Sequence, residues 1–99
     1  MIILMGYLHL NPSDVNEFTA DVQDIASSTR DEKGCLFYAI TMEDASAGRM
    51  LIVERWQDQE SLTAHLANQT TVPFLTKWGN RIKIDTLKYD ASNERSFME

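Results

Sequence analysis

The sequence contains one cysteine, few basic residues and no long apolar run. Cys35 is the single cysteine among 99 residues, so an internal disulfide is impossible, whereas secreted domains of this size usually carry several. Nine Lys and Arg residues stand against fifteen Asp and Glu residues, for a formal charge of −6. Phosphate binding needs clustered cations, and the basic residues here are scattered. These shortages predict a cytoplasmic protein that binds neither nucleic acid nor an anionic membrane surface.

Several familiar signatures are also missing. The apolar opening MIILMGYLHL has no basic leader and is too short to span a bilayer, so we expect it to be a strand of the fold. There is no glycine-rich phosphate loop, no CxxC pair and no Ser-His-Asp set. No spacing motif supports a metal site built from His9, His65 and Glu54, and we predict none.

The composition is that of one globular domain. Hydrophobic residues make up 43% of the chain and charged residues 24%, which is typical of a single folded unit. We expect this domain to cover residues 1–90 and residues 91–99 to form a loosely structured tail. A chain this short buries only roughly 60–65% of the surface that its unfolded form exposes, so it gains stability from a partner subunit.

Hydrophobic periodicity predicts six main elements and a short additional helix. Strands are expected over residues 2–10, 35–42, 49–56 and 82–89, and the last should contain a bulge because its apolar phase changes between Ile84 and Leu87. A first helix follows Ser13 or Asp14, a second begins after Asp58, and a short third covers about residues 72–78. The order strand, helix, strand, strand, helix, strand predicts an α+β, ferredoxin-like split βαβ fold with an antiparallel sheet and helices on one face.

The predicted strands are apolar at both odd and even positions. A sheet with one face in water should alternate apolar with polar side chains, so a second layer must cover the face that the helices leave open. An identical subunit is the simplest cover, and we therefore predict a homodimer whose two sheets face each other in a dimeric α+β barrel.

A small-molecule cavity would then lie between the sheet and the helices. Period-2 counting places Ile52, Glu54 and Trp56 on one face of the third strand, and helical spacing places His65 on the apolar face of the second helix. We predict a pocket with Glu54 and Trp56 in its floor and His65 in its roof. Tyr7, from the first strand, is expected in the same floor.

Three strings resemble one known family. EKGCLFYAI (residues 32–40), VERW (residues 53–56) and AHLAN (residues 64–68) are similar to the antibiotic biosynthesis monooxygenase family over roughly residues 1–90. The resemblance implies a dimeric ferredoxin-like barrel. It also implies a cofactor-free reaction of a small aromatic substrate, a phenol or quinol, with dioxygen.

Three residues differ from those at the matching positions of known family members, and these differences limit which reaction and substrate the resemblance implies. Where haem-degrading members carry an iron-ligating histidine, this chain has Leu75, which argues against haem degradation. Thr70 replaces a second histidine that is frequent in quinol-oxidising members. Ile52 replaces a polar residue of the polyketide-oxidising members, so the substrate cannot be transferred from them.

Each candidate residue has a proposed role and a structural alternative. The resemblance and the chemistry make His65 the candidate base, Trp56 a ring-stacking donor and Glu54 a group that orients His65 or a water. Tyr7, Tyr38, Ile52 and Phe74 are the expected substrate-binding residues. Any of them could instead serve only packing, and Glu54 could serve only as a structural acceptor.

Two other functions remain open. The same residues could catalyse an isomerisation or another proton transfer on a small carbonyl compound without dioxygen. A non-catalytic dimeric binding protein is the third possibility, favoured if the substitution at Thr70 abolishes catalysis.

Overall fold

The computed structural model describes residues 1–99 as one antiparallel sheet with three helices. In chain order the elements are β1 (Ile2–Leu10), α1 (Val15–Arg30), β2 (Cys35–Asp44), β3 (Arg49–Trp56), α2 (Gln59–Leu66), α3 (Thr71–Trp78) and β4 (Ile82–Asp90), with a 3-10 turn at Pro12–Asp14. The strand order in the sheet is β2-β3-β1-β4. This arrangement confirms the predicted ferredoxin-like α+β fold.

The helices begin where the sequence predicts. The Asp58 carboxylate accepts the Ser61 N–H at 2.8 Å and caps α2, which satisfies one of the free donors of the first turn. Pro73 lies in the first turn of α3, where its missing N–H costs no helical hydrogen bond. Helix α1 buries a stripe at helical spacing formed by Val15, Phe18, Val22 and Ala26.

The larger core cluster joins α1 and α3 to the sheet. The Phe18 ring meets the edge of Trp78 at a centroid distance of 5.0 Å and Phe74 at 5.6 Å. Met50 of β3 is completely buried against this group. A smaller cluster of Ile2, Trp56 and Leu62 holds α2 on the other end of the sheet.

The two faces of the sheet differ in what covers them. Even-numbered residues of β1 lie towards the helices, and Ile2, Leu8 and Leu10 among them are buried. Met5 of β1 and Leu87 of β4 pair with each other on the opposite face and are 50% and 65% exposed. In the single chain, large apolar side chains on this second face are therefore uncovered.

The predicted bulge in β4 is wrong. Strands β1 and β4 pair without interruption from Ile2 with Asp90 to Leu10 with Ile82. Ile84 points to the helical face of the sheet and Leu87 to the outer face. Because both faces carry apolar side chains, the apolar positions of β4 shift from even to odd numbers without a bulge. The register irregularities lie in β2, between Cys35 and Phe37 and between Met42 and Asp44.

Residues 91–99 follow β4 and form no helix or strand. Phe97 in this segment is 96% exposed. No helix of the chain combines the length and the apolar character that crossing a membrane requires.

Candidate active site

Glu54 and Trp56 lie side by side at the end of β3. They are two residues apart, so they share the face of the sheet that the helices cover. The indole Nε1 of Trp56 donates a hydrogen bond to Glu54 Oε1 at 2.9 Å, and both residues are buried. The second carboxylate oxygen of Glu54 has no hydrogen-bond partner within the chain. Glu54 therefore keeps one oxygen for another contact.

His65 packs onto Trp56 from α2. The two rings stack at a centroid distance of 4.7 Å and an interplanar angle of 29°. Period-2 counting along β3 and helical spacing along α2 thus predicted correctly that Glu54, Trp56 and His65 converge.

A different carboxylate holds His65. Its Nδ1 lies 3.0 and 3.1 Å from the two oxygens of Glu32, a residue of the turn between α1 and β2. Thr71 Oγ1 is 3.3 Å from the same nitrogen. Glu54 does not orient His65, because Glu54 is bonded to Trp56 and Glu32 occupies the position beside Nδ1. The alternative, that Glu54 orients a water, stays a prediction. His65 Nε2 has no hydrogen-bond partner within the chain.

An apolar cavity of about 230 Å³ opens beside His65 and Glu54. Eleven of its fifteen lining residues are hydrophobic. The predicted substrate-binding residues Tyr38, Ile52 and Phe74 all contribute to its wall. The remaining wall comes from all three helices and from β1, β2 and β4, namely Leu4, Leu8, Ile25, Ile40, Leu66, Thr71, Leu75, Ile82, Ile84 and Thr86.

Tyr7 does not line this cavity. It pairs with Leu51 and points to the outer face of the sheet, where the guanidinium of Arg49 lies 5.4 Å from the centre of its ring. The expected place of Tyr7 in the pocket floor is wrong because Gly6, not Tyr7, pairs with Ile52 on the helical face. His9 shares the outer face and lies 3.3 Å from Asp85.

Trp56 also differs from its predicted role. Its side chain is completely buried and is not part of the cavity wall. Its N–H is used by Glu54 and one ring face by His65. The expected stacking of Trp56 on a substrate ring is therefore wrong, and Trp56 instead holds two groups that do reach the cavity.

Burial sets the protonation preference of two cavity groups. Desolvation raises the pKa of Glu54, opposed by the hydrogen bond from Trp56 and the nearby His65. Desolvation, reinforced by the charge of Glu54, also raises the pKa of Tyr38 well above its ordinary value. Tyr38 therefore stays protonated at neutral pH and can act only as a hydroxyl, not as a base.

Glu32 is the site residue that sequence reasoning missed. It belongs to the charged stretch RDEK (residues 30–33) at the end of α1, which carries no catalytic motif of its own. Its contact with His65 spans 33 residues, so no local period relates the two. The one available signal is its place in the string EKGCLFYAI, which carries part of the family resemblance.

The structure is thus a small α+β protein with a ferredoxin-like sheet, in which a buried histidine and one glutamate line an apolar cavity and a second glutamate bonds to the histidine. The sequence profile of the antibiotic biosynthesis monooxygenase family matches residues 1–77. The chain belongs to this family.

Individual relatives agree with that membership. The chain is 25% identical over 65 residues to "Putative monooxygenase YcnE" of Bacillus subtilis (strain 168), a match that covers 66% of this chain and 68% of that protein. A "putative antibiotic biosynthesis monooxygenase" from Deinococcus radiodurans superposes with a TM-score of 0.83 at 24% identity over the full length of both chains. Rv0793 from Mycobacterium tuberculosis gives 0.81 at 18% identity, covering 96% of this chain and 98% of that one. The two solved structures establish the shared fold.

Proposed function

We propose that this protein is a cofactor-independent monooxygenase that oxidises a small phenolic or quinol-type compound with dioxygen. The observation that carries the proposal is the placement of His65, whose Nδ1 is bound by a carboxylate while Nε2 has no partner and the ring borders an apolar cavity. An apolar substrate that fills this cavity would displace water from it, and one basic nitrogen is left for a substrate hydroxyl.

The proposed reaction begins with proton transfer from the substrate hydroxyl to His65 Nε2. The resulting anion passes one electron to dioxygen, and the two radicals join in a C–O bond at a ring carbon that bears hydrogen. The peroxide takes back the proton from His65, and the hydroperoxide then loses water. One oxygen atom remains as a carbonyl, and the other leaves as water with two hydrogens from the substrate.

Tyr38 would stabilise the negative charge that develops on the substrate, and Glu54 would do so in its protonated form. Both line the cavity, and burial favours the protonated form of each. Donors held in a dry site are more effective than the same groups in water. Ile52 and Phe74 would hold the ring by apolar contact.

Oxygen consumption tests this function. Purified protein is incubated with a panel of 1,4-hydroquinones and anthrones in an oxygen electrode. We expect His65→Ala and the bulkier His65→Gln to lower the rate by about 10²–10⁴-fold, the usual contribution of a general base. His9→Ala, on the outer face, is the matched control and should keep the wild-type rate. Consumption that survives both His65 substitutions would refute the assignment of the base.

A second function is favoured by the presence of Glu54, a carboxyl group whose pKa is raised by burial, on the same cavity wall as His65. A base and an acid on one cavity wall can move a proton between two carbons of a small carbonyl compound, as an isomerase does. Exchange of substrate hydrogens for deuterium without oxygen uptake would support this function. Binding without either reaction would indicate a non-catalytic binding protein.

We also propose that the working unit is a homodimer. The outer face exposes large apolar side chains, including Phe37, Leu51 and Tyr89 at 45%, 36% and 45% exposure. Many large apolar side chains exposed on one face are uncommon on isolated monomers, which supports an interface at this face. A second copy of the chain would bury it sheet against sheet.

A further inference from the structure

Glu32 is directed at His65 by the turn that carries it. Its backbone N–H bonds to Thr29 O at 3.1 Å, and its carbonyl accepts the N–H of Cys35 at 3.1 Å. The side chain is 14% exposed and makes no salt bridge to a lysine or arginine. The carboxylate is thus largely shielded from solvent, and His65 is the only ionisable side chain to which it bonds.

The other groups around His65 do not replace this contact. Trp56 stacks on the imidazole, and Tyr38 meets its edge at a centroid distance of 6.2 Å. Thr71 Oγ1 lies 3.3 Å from Nδ1, which is longer than either distance to Glu32. A carboxylate is the stronger acceptor because its hydrogen bond is charge-assisted.

We infer that Glu32 is the positioning residue of the site: its carboxylate accepts the Nδ1–H of His65, which fixes the neutral imidazole in the tautomer whose Nε2 lone pair is free. The inference rests on the proposed function for the step in which a substrate proton moves to Nε2. In that step the imidazolium that forms is balanced by the negative charge of Glu32. No other bond is made or broken.

Nitrogen-15 NMR of the histidine rings tests the tautomer without any substrate. The chain has two histidines, and the His9→Gln variant assigns the second. We expect wild-type His65 in its neutral form to carry the proton on Nδ1, whereas an exposed neutral histidine prefers Nε2. In Glu32→Ala the Nδ1–H population should fall. Wild-type protein with the proton on Nε2, or an unchanged tautomer in Glu32→Ala, would overturn the inference.

Steady-state kinetics provide a second test of the role of Glu32. With a substrate found by oxygen uptake, Glu32→Gln should lower kcat by at least about tenfold with little change in KM, because orientation and charge balance are lost while the cavity wall is kept. Asp31→Asn is the matched control, since Asp31 is the exposed neighbour in the same turn and does not contact His65. Equal kcat in Glu32→Gln and wild type would refute the positioning role. If no substrate is oxidised, the proposed function fails and the tautomer measurement still decides the role of Glu32.

Discussion

Glu54 places a carboxyl group where its charge is poorly solvated. Burial raises its pKa in the folded protein, so its contribution to stability is fully present below the ordinary glutamate pKa of about 4.3. That contribution is lost as the pH rises through the higher folded value. Glu54→Gln has no charge to bury and can still accept the Trp56 N–H. We therefore expect the variant to gain stability relative to wild type as the pH increases.

Urea unfolding of wild type and Glu54→Gln from pH 4 to pH 8 measures this difference. Glu60→Gln, an exposed position on α2, is the control and should follow the wild-type pH profile. A constant difference between Glu54→Gln and wild type across the range would contradict the prediction.

The two tryptophans permit a second test at the residue scale. Both are fully buried and both donate to a carboxylate at 2.9 Å, Trp56 to Glu54 and Trp78 to Asp21. The Asp21 side chain is 25% exposed, so water can replace the lost donor, whereas Glu54 is buried. Replacement by phenylalanine removes a similar volume at each site. We expect Trp56→Phe to cost about 1–3 kcal/mol more than Trp78→Phe at pH 7, the usual penalty for an unsatisfied buried acceptor.

Denaturant unfolding at fixed protein concentration measures the loss of stability in both variants. Equal destabilisation by the two substitutions would show that the indole N–H of Trp56 is not required to satisfy Glu54.

The predictable part of the site consists of residues related by a local period. Glu54 and Trp56 share a strand face, and His65 lies on the buried side of a helix, so strand and helical periods are sufficient to bring them together. Tyr7 was misplaced because period 2 separates odd from even positions without showing which set the helices cover. Glu32 could not be found this way, because its contact depends on how a turn and a helix distant in sequence meet.

At the scale of elements, the pairing of β1 with β4 depends on Gly6. Its φ is 155°, and a Cβ at this position would collide with the carbonyl of Asp85 and lie 2.8 Å from the Cα of Thr86. The neighbouring strand is therefore closer than an L side chain permits. We expect Gly6→Ala to destabilise the protein by about 1–3 kcal/mol or more and to loosen β4.

Hydrogen exchange measures that loosening strand by strand. Amides of β4 should lose protection in Gly6→Ala, while those in the pairing of β2 with β3 should change less. If Gly6→Ala changes amide protection equally in β4 and in the pairing of β2 with β3, the dependence on Gly6 is contradicted.

The order and bounds of the elements followed closely from the sequence because their ends carry their own signals, such as the Asp58 cap and the proline of α3. The bulge predicted in β4 failed for a different reason. It assumed that one face of the strand is wet, whereas Ile84 and Leu87 show that apolar side chains occupy both faces. A break in the alternation of apolar and polar residues along a strand indicates a bulge only when one face of that strand is polar.

At the scale of the whole molecule, the proposed dimer can be tested on a single strand. Leu87 and Ile84 are equally exposed, at 65% and 64%, but Leu87 lies on the outer face and Ile84 on the helical face. In the proposed dimer only Leu87 is covered by the partner sheet, where an unpaired charge would be costly. Leu87→Lys should therefore shift the protein to monomer, and Ile84→Lys should leave the dimer intact. Sedimentation at micromolar concentration measures both, with circular dichroism to verify folding, and a wild-type monomer or an equal effect of the two lysines would refute the interface.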